Sequence, residues 1–499
     1  MTILKKIALL SILSVCFFSC KKEPQTDNSG AIYSKFIDDM KAENIATGNI
    51  LVYKKGEVIF KSADGLRSIN PIDSLDINDQ FRLASVSKQF TGMAIMKLKE
   101  AGKIEYDQKV NTILTDFPYD NITVRQLLHH VSGLADYMGI IEANWTPTDS
   151  TKIDILGNDE ILNVFYSVKP ELNFQPGERW EYSNTGYIVL ASIVEKISGK
   201  HFRDFIKEQI TDPLGMSNTE VYKYQIEVDP NMPDRVFGYS LALNQKDLVL
   251  NDYNILNDAR GDGGVYSTLE DLYKWNMALA NYTIIPKDYL DEAWTSGKLN
   301  NGEKTNYGFG WGLEDDESKP QSVSHSGGWV GFGTFLYNEV ETKSGFVVLT
   351  NNSFENFGGI LDGISNIWNG EPYDIPNPSL RRSIASVILE DGIDNGITLY
   401  HELKVDTTRY KFSEQEINSL GYQFLGENYV DEALGIFKLN IQEYPESANT
   451  YDSYGDALLV KGDSLKALEN FQKCFEMDGT MIISRDKAKK LKVSLEKTK

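Results

Sequence analysis

The sequence predicts an α/β (α+β) fold: one antiparallel sheet flanked by helices, a helical region inserted between its first and last strands, and an all-helical C-terminal part. Three observations carry this. Asn49–Tyr53 and Glu57–Lys61 read as two extended runs joined across Lys54-Lys55-Gly56, a hairpin. Far downstream, Phe332–Tyr337 and Gly345–Thr350 are again β-like, and a helix follows around Gly359–Trp368. After Pro376 and Pro378 the composition changes, and a repeat with a period of 34 residues begins.

The chain opens with an address. Lys5-Lys6 precedes an apolar run from Ile7 to Phe18 and then Ser19-Cys20-Lys21-Lys22. A charged start, a short apolar core and a small residue before the cleavage point predict a secretory signal over residues 1–19. The run is too short to remain as a membrane-spanning helix. Cys20, placed directly after that point, resembles a bacterial lipoprotein site; bulky Val15 makes Cys16 the poorer match. The resemblance implies lipidation of Cys20, a polar tether over 20–30, and a protein held at the bacterial cell envelope.

The length of 499 residues exceeds one ordinary domain. A net charge of −22 argues against nucleic acid, whose binding needs a basic face. Apart from Cys20 at the processing point, Cys474 is the sole cysteine beyond the leader, which removes any disulfide framework or thiolate metal cluster. His129 and His130 are neighbours in sequence and diverge on a helix, so they read as structural. The sequence gives no case for a cofactor or a metal.

The chemistry starts at Ser85-Val-Ser-Lys88. This spacing puts a hydroxyl and an amine one turn apart on the same helix face. A serine attacks a carbonyl only when a neighbour takes its proton, and Lys88 is in reach to do so. Ser-x-x-Lys also occurs at Ser19–Lys22, Ser484–Lys487 and Ser494–Lys497. Only Ser85 follows an extended stretch, Gln80–Leu83, and opens a run with a buried helical face: Val86, Phe90, Met93, Ala94, Leu98 and Ala101, stopped by Gly102. The alternative for Ser85 is a plain N-cap. Tyr182-Ser183-Asn184 offers a proton relay and an amide, although Tyr-x-Asn also occurs at Tyr119–Asn121. His325-Ser326-Gly327-Gly328 is the one His-x-Gly. It lies in a glycine-rich segment leading into the late β-like runs, where a substrate could approach the backbone closely.

In that order, Ser-x-x-Lys, Tyr-x-Asn and His-x-Gly resemble the three motifs of the beta-lactamase-related serine hydrolases. That family includes class C beta-lactamases, D-alanyl-D-alanine carboxypeptidases, and esterases or D-aminopeptidases of the same fold. Leu127–Leu134, Pro213–Met216, Gly263–Thr268 and Tyr307–Trp311 agree with it, and the resemblance runs from Ile32 to Trp368. It implies that Ser85 is the nucleophile, Lys88 its proton acceptor, and Tyr182 the partner base that later activates water. It implies that Asn184, His325 and Gly327 bind substrate, and that the N–H groups of Ser85 and Gly328 form the oxyanion hole. One departure stands out. Most beta-lactamases and carboxypeptidases carry lysine in the third motif, where it helps bind the substrate carboxylate; this chain has His325, only partly charged near pH 7. That favours an ester, amide or peptide substrate less dependent on a carboxylate, with cell-wall peptides and beta-lactams kept open. The alternative is a noncatalytic envelope protein that keeps the fold to bind peptides.

In the tail, Gly421 pairs with Gly455, Ala433 with Ala467, Leu434 with Leu468 and Phe437 with Phe471. These offsets resemble the tetratricopeptide repeat. Helices around Ser383–Leu389 and Thr398–Leu403 are expected as a degenerate unit, and Ile482–Leu495 as a cap. The resemblance implies a protein- or peptide-docking groove; a helical buttress is the other reading. The predicted division is leader 1–19, tether 20–30, hydrolase 31–369, linker 370–380 and repeats 381–499.

Overall fold

Alternating apolar residues from two distant stretches of chain build the central sheet. In a computed structural model, which describes residues 29–147, 154–224, 232–314, 319–352, 356–376, 380–407, 410 and 412–497, helix α1 (Ser29–Ala42) leads into the predicted hairpin, β1 (Gly48–Lys54) and β2 (Glu57–Asp64). The leader and Cys20 lie outside the described residues. Ile50 and Val52 face α1, while Leu51 and Tyr53 face the larger core; all four are fully buried, so β1 is covered on both sides.

A ribbon of β3 (Leu66–Ile69) and β4 (Ile72–Ser74) precedes the short β5 (Phe81–Arg82), a 3₁₀ turn at Ala84–Ser87 and helix α2 (Lys88–Glu100). The predicted face of α2 is buried from Val86 to Leu98; Ala101, expected on that face, is exposed, because it already caps the helix before Gly102 at φ 67°. The helical middle follows: α3 (Val124–Leu128), α4 (Tyr137–Asn144), α5 (Asn158–Val168), α6 (Asn184–Ser198) and α7 (Phe202–Ile206). Then come β6 (Glu220–Val221), β7 (Tyr239–Leu241), β8 (Leu248–Leu250), β9 (Val265–Ser267), α8 (Leu269–Ala280) and α9 (Lys287–Ala293).

The chain returns to the sheet as β10 (Gly312–Leu313), β11 (Ser322–Trp329), β12 (Phe332–Glu339) and β13 (Ser344–Thr350), and α10 (Phe357–Asn369) closes the unit. The six-stranded order is β10-β11-β12-β13-β1-β2, antiparallel throughout, with Leu51 opposite Val347 on one side and Lys61 on the other. First and last strands therefore share one sheet, as the sequence predicts. Its glycine-rich His325 segment, read as a lead-in, is itself the strand β11. Val323 is its one β-branched residue, and Gly327 must stay small for packing.

Beyond α10, α11 (Leu380–Asp391) and α12 (Ile393–Leu403) precede α13 (Glu414–Gly426), α14 (Val430–Glu443), α15 (Ala448–Lys461), α16 (Ser464–Met477) and α17 (Ile482–Lys497). The period of 34 has a packing basis. A Cβ on Gly421 would stand 2.5 Å from Phe437, and one on Gly455 would stand 2.6 Å from Phe471, so each glycine is a notch for the ring of the next helix. In α11–α12 the notch is reversed, Gly396 receiving Ile388. This helical part rests on the β7–β8 connection: Leu243 joins its apolar core, Ser386 Oγ donates to Asn244 O at 3.0 Å, and Gln245 Nε2 donates to Gln423 Oε1 at 3.1 Å.

Candidate active site

The turn that carries Ser85 is strained and pinned. Ala84 has φ 47°, a conformation costing a residue with a Cβ ~1–2 kcal/mol. Neighbouring strands hold it there: Leu83 N donates to Val265 O at 2.8 Å, Thr334 Oγ1 donates to Leu83 O at 2.7 Å, and Ser87 Oγ accepts from Val265 N at 3.1 Å. Ser85 is thereby lifted toward a pocket lined by Arg82, Tyr137, Asn184, Asp262 and Trp329.

Lys88, first residue of α2, is fully buried. Its Nζ lies 3.1 Å from Ser85 Oγ, 2.8 Å from Asn184 Oδ1 and 2.9 Å from the carbonyl of Asp262. A neutral amine has two N–H bonds and one lone pair. In that form Asn184 and Asp262 can take the two hydrogens, which leaves the lone pair for the Ser85 hydroxyl. Asn184 reaches this position because Ser183 caps α6 through Gly186 N at 3.1 Å.

Tyr182 meets Lys88 through its ring face, 4.8 Å from Nζ to the ring centre, and is 37% exposed. Its hydroxyl makes no hydrogen bond to Lys88 or Ser85. The ring is backed by His130, 4.3 Å away between centres, whose Nδ1 accepts from Ser183 N at 3.0 Å. His130 has φ 58° at the end of α3, so it turns back toward the site instead of continuing the helix. Burial holds its imidazole well below the usual range. His129 donates Nδ1–H to Tyr307 O at 2.9 Å and is pushed down to about 4 by burial.

His325 differs from its expected state. It is buried, and desolvation, reinforced by the Lys88 charge, lowers it to about 3, so it is neutral at pH 7 and not partly charged. Its Nδ1–H donates to Ser326 O at 2.6 Å and its Nε2 accepts from Tyr307 Oη at 2.8 Å, which fixes ring and tautomer. Gly327 is pressed against the nucleophile's turn: a Cβ there would stand 2.3 Å from Leu83 O, 2.4 Å from Thr334 Oγ1 and 3.1 Å from Ser85 N. β11 and β12 are joined by the two-residue turn Val330-Gly331, with Trp329 opposite Phe332. That makes Trp329–Phe332 the hydrogen-bonded pair, and alternation leaves the Gly328 N–H pointing away from β12. Among the described residues the Ser85 N–H meets no backbone acceptor. Two backbone donors are thus free beside Ser85 Oγ, the arrangement that can hold an oxyanion.

The structure brings Ser85, Lys88, Tyr182, Asn184, His325, Gly327 and Gly328 to one place. Sequence reading missed Arg82, His130, Tyr137, Asp262 and Tyr307. His130, Asp262 and Tyr307 sit in or beside segments that carry the resemblance, which is the one available signal. Asp262 Oδ2 accepts from Tyr137 Oη at 3.0 Å, and burial raises its carboxyl above the usual range. No group of three or more His, Cys, Asp or Glu converges as metal ligands among the described residues.

Comparison with known proteins agrees. Residues 34–364 match the family model described as Beta-lactamase. A penicillin-binding protein of Bacillus subtilis (strain 168) is 36% identical over 380 residues, covering 71% of this chain and 82% of its own length. Among solved structures, the octameric penicillin-binding protein homologue from Pyrococcus abyssi superposes with a TM-score of 0.58 at 26% identity, over 69% of this chain and 78% of that one. The D-amino acid amidase from Ochrobactrum anthropi SV3 superposes with a TM-score of 0.56 at 25% identity, over 68% and 98%. With two thirds of its length matched and its serine–lysine pair in contact, this chain belongs to the Beta-lactamase family and is a serine hydrolase of the beta-lactamase-related type.

Proposed function

We propose that this protein hydrolyses an ester, amide or peptide through an acyl-enzyme on Ser85. The observation that carries this is the Lys88 amine, 3.1 Å from Ser85 Oγ with its other two donors committed to Asn184 and Asp262. Ser85 Oγ attacks the carbonyl carbon and its proton passes to Lys88 Nζ. The oxyanion is held by the N–H groups of Ser85 and Gly328. As the C–N or C–O bond breaks, the leaving amine or alcohol takes that proton. Water then attacks the acyl-enzyme, Tyr182 and Lys88 take its proton and hand it to Ser85 Oγ as the Oγ–acyl bond breaks, and the acid departs. Asn184 keeps its amide N–H₂ for the acyl chain. The relatives named as penicillin-binding proteins and a D-amino acid amidase support an acyl donor of the cell-wall-peptide, beta-lactam or amino-acid-amide kind.

Residues 31–369 act as the hydrolase, 370–380 as linker and 381–499 as a helical unit that docks a peptide or protein. Lipid on Cys20 places the protein at the cell envelope; no described helix is long and apolar enough to cross a membrane. Hydrolysis of 4-nitrophenyl butyrate tests the catalytic reading. Ser85→Ala should lower kcat by roughly 10⁴–10⁶, and a variant that keeps wild-type turnover would remove Ser85 from the mechanism.

A further inference from the structure

The third motif supplies no cation, because His325 is neutral and both its ring nitrogens are engaged. Lys88 Nζ has its three hydrogen-bonding directions taken by Ser85, Asn184 and Asp262. Yet the pocket holds a fixed cation of another origin. Arg82, on β5, is 97% buried, since only 3% of its surface is exposed, and it lines the same pocket as Ser85. A buried guanidinium is costly unless a carboxylate pairs with it. Arg82 has no such partner among the described residues. Its Nη2 donates to Asn257 O at 3.1 Å, its Nε is buried with no acceptor, and its Nη1 makes no hydrogen bond. The pocket's one carboxyl, Asp262, accepts from Tyr137 Oη; it is near enough to feel the Arg82 charge but makes no direct ion pair with it. Trp329 and Tyr266 flank the guanidinium at 5.8 and 6.0 Å, and Trp329 is itself fixed through Nε1 to Asn257 Oδ1 at 2.6 Å. The result is a rigid cation with donors left open, three residues before the nucleophile.

We propose that Arg82 binds a carboxylate of the substrate, so that the preferred acyl donors carry a carboxylate close to the scissile carbonyl. This rests on the acyl-enzyme reading of Ser85 and names its substrate class. It reverses the expectation drawn from His325: the cation absent from the third motif is supplied from the strand before the first.

Two matched ester pairs test it. 4-Nitrophenyl hydrogen glutarate and 4-nitrophenyl pentanoate differ by a carboxylate on the acyl side; 3-(butanoyloxy)benzoic acid and its methyl ester differ on the leaving side. In at least one pair, kcat/KM should favour the carboxylate by about ten- to hundredfold, the range of hydrogen bonds to charged groups. Arg82→Gln should bring that ratio toward one, and Arg82→Lys should retain part of it. A structural role would lower both members equally and leave the ratio untouched. An unchanged ratio in Arg82→Gln, or no preference in the wild type, overturns the proposal. Loss of the acyl-enzyme reading is separate: it would appear as pentanoate turnover that persists in Ser85→Ala.

Discussion

The active site and the helical tail both depend on glycine, and they use it in opposite ways. In the site, Gly327 and Gly92 clear space for backbone: a Cβ would stand 2.3 Å from Leu83 O in one case and 1.9 Å from Phe309 O in the other. In the tail, Gly421 and Gly455 clear space for the rings of Phe437 and Phe471. A ring can tilt or shift with its helix. A carbonyl pinned in a sheet can move only by moving the strand. The lesson is that the site is a rigid frame closed over long sequence distances, whereas the tail is a stack of local notches that tolerates adjustment.

Variants at the two kinds of position break this comparison in graded steps. Lys88→Met removes the proton acceptor and strands Asn184 Oδ1 and the Asp262 carbonyl; kcat/KM for a neutral ester should fall by about 10²–10⁴. Gly327→Ala comes next. Displacing β11 by a few tenths of an ångström to 1 Å moves the oxyanion donors, and an activity loss of roughly 10²-fold is expected, with the thermal unfolding profile still cooperative. Gly455→Ala should do the reverse: unfolding of the helical tail becomes easier by about 1–3 kcal/mol, while ester turnover stays at the wild-type level. Equal activity losses in Gly327→Ala and Gly455→Ala would erase the distinction.

The smallest effect concerns acid. His129 is held at about 4 against an ordinary 6.5, so below pH 6.5 the unfolded chain binds a proton that the folded chain refuses. Its contribution is complete above that pH and drains away as the pH falls toward 4. His129→Gln, which keeps a donor for Tyr307 O, should therefore reduce the stability lost between pH 7 and pH 5 by about 2 kcal/mol. Urea unfolding at the two pH values measures this. Asp79, raised to about 6 by burial, responds in the opposite direction in both proteins and cancels from the difference.

Legibility in the sequence follows the same division. The hairpin, the late strands, α2 and the 34-residue period were readable because alternation, helical spacing and repetition are local. Ser85, Lys88, Tyr182 and Asn184 were readable through motifs short enough to sit on one turn or cap. The β11 strand was not, because the glycines that let it lie against Leu83 and Ser85 also remove the side chains that mark a strand. His130 reads as structural and is buried behind the Tyr182 ring; its positive φ, which turns it there, is what no neighbour in sequence signals. The state of His325 was misread for a related reason: its charge depends on burial beside Lys88 and on Tyr307, contacts that exist only after folding. Arg82 lies within the extended stretch Gln80–Leu83 that marks the motif, but its meaning lies in a partner it lacks.

The central claim is that Ser85 is an activated nucleophile with Lys88 as its base. Intact mass after exposure to a fluorophosphonate tests it most directly. One adduct on the wild type, absent in Ser85→Ala and strongly slowed in Lys88→Met, is the predicted result. An adduct that survives in Ser85→Ala, or a wild-type protein that takes no label, would contradict the account.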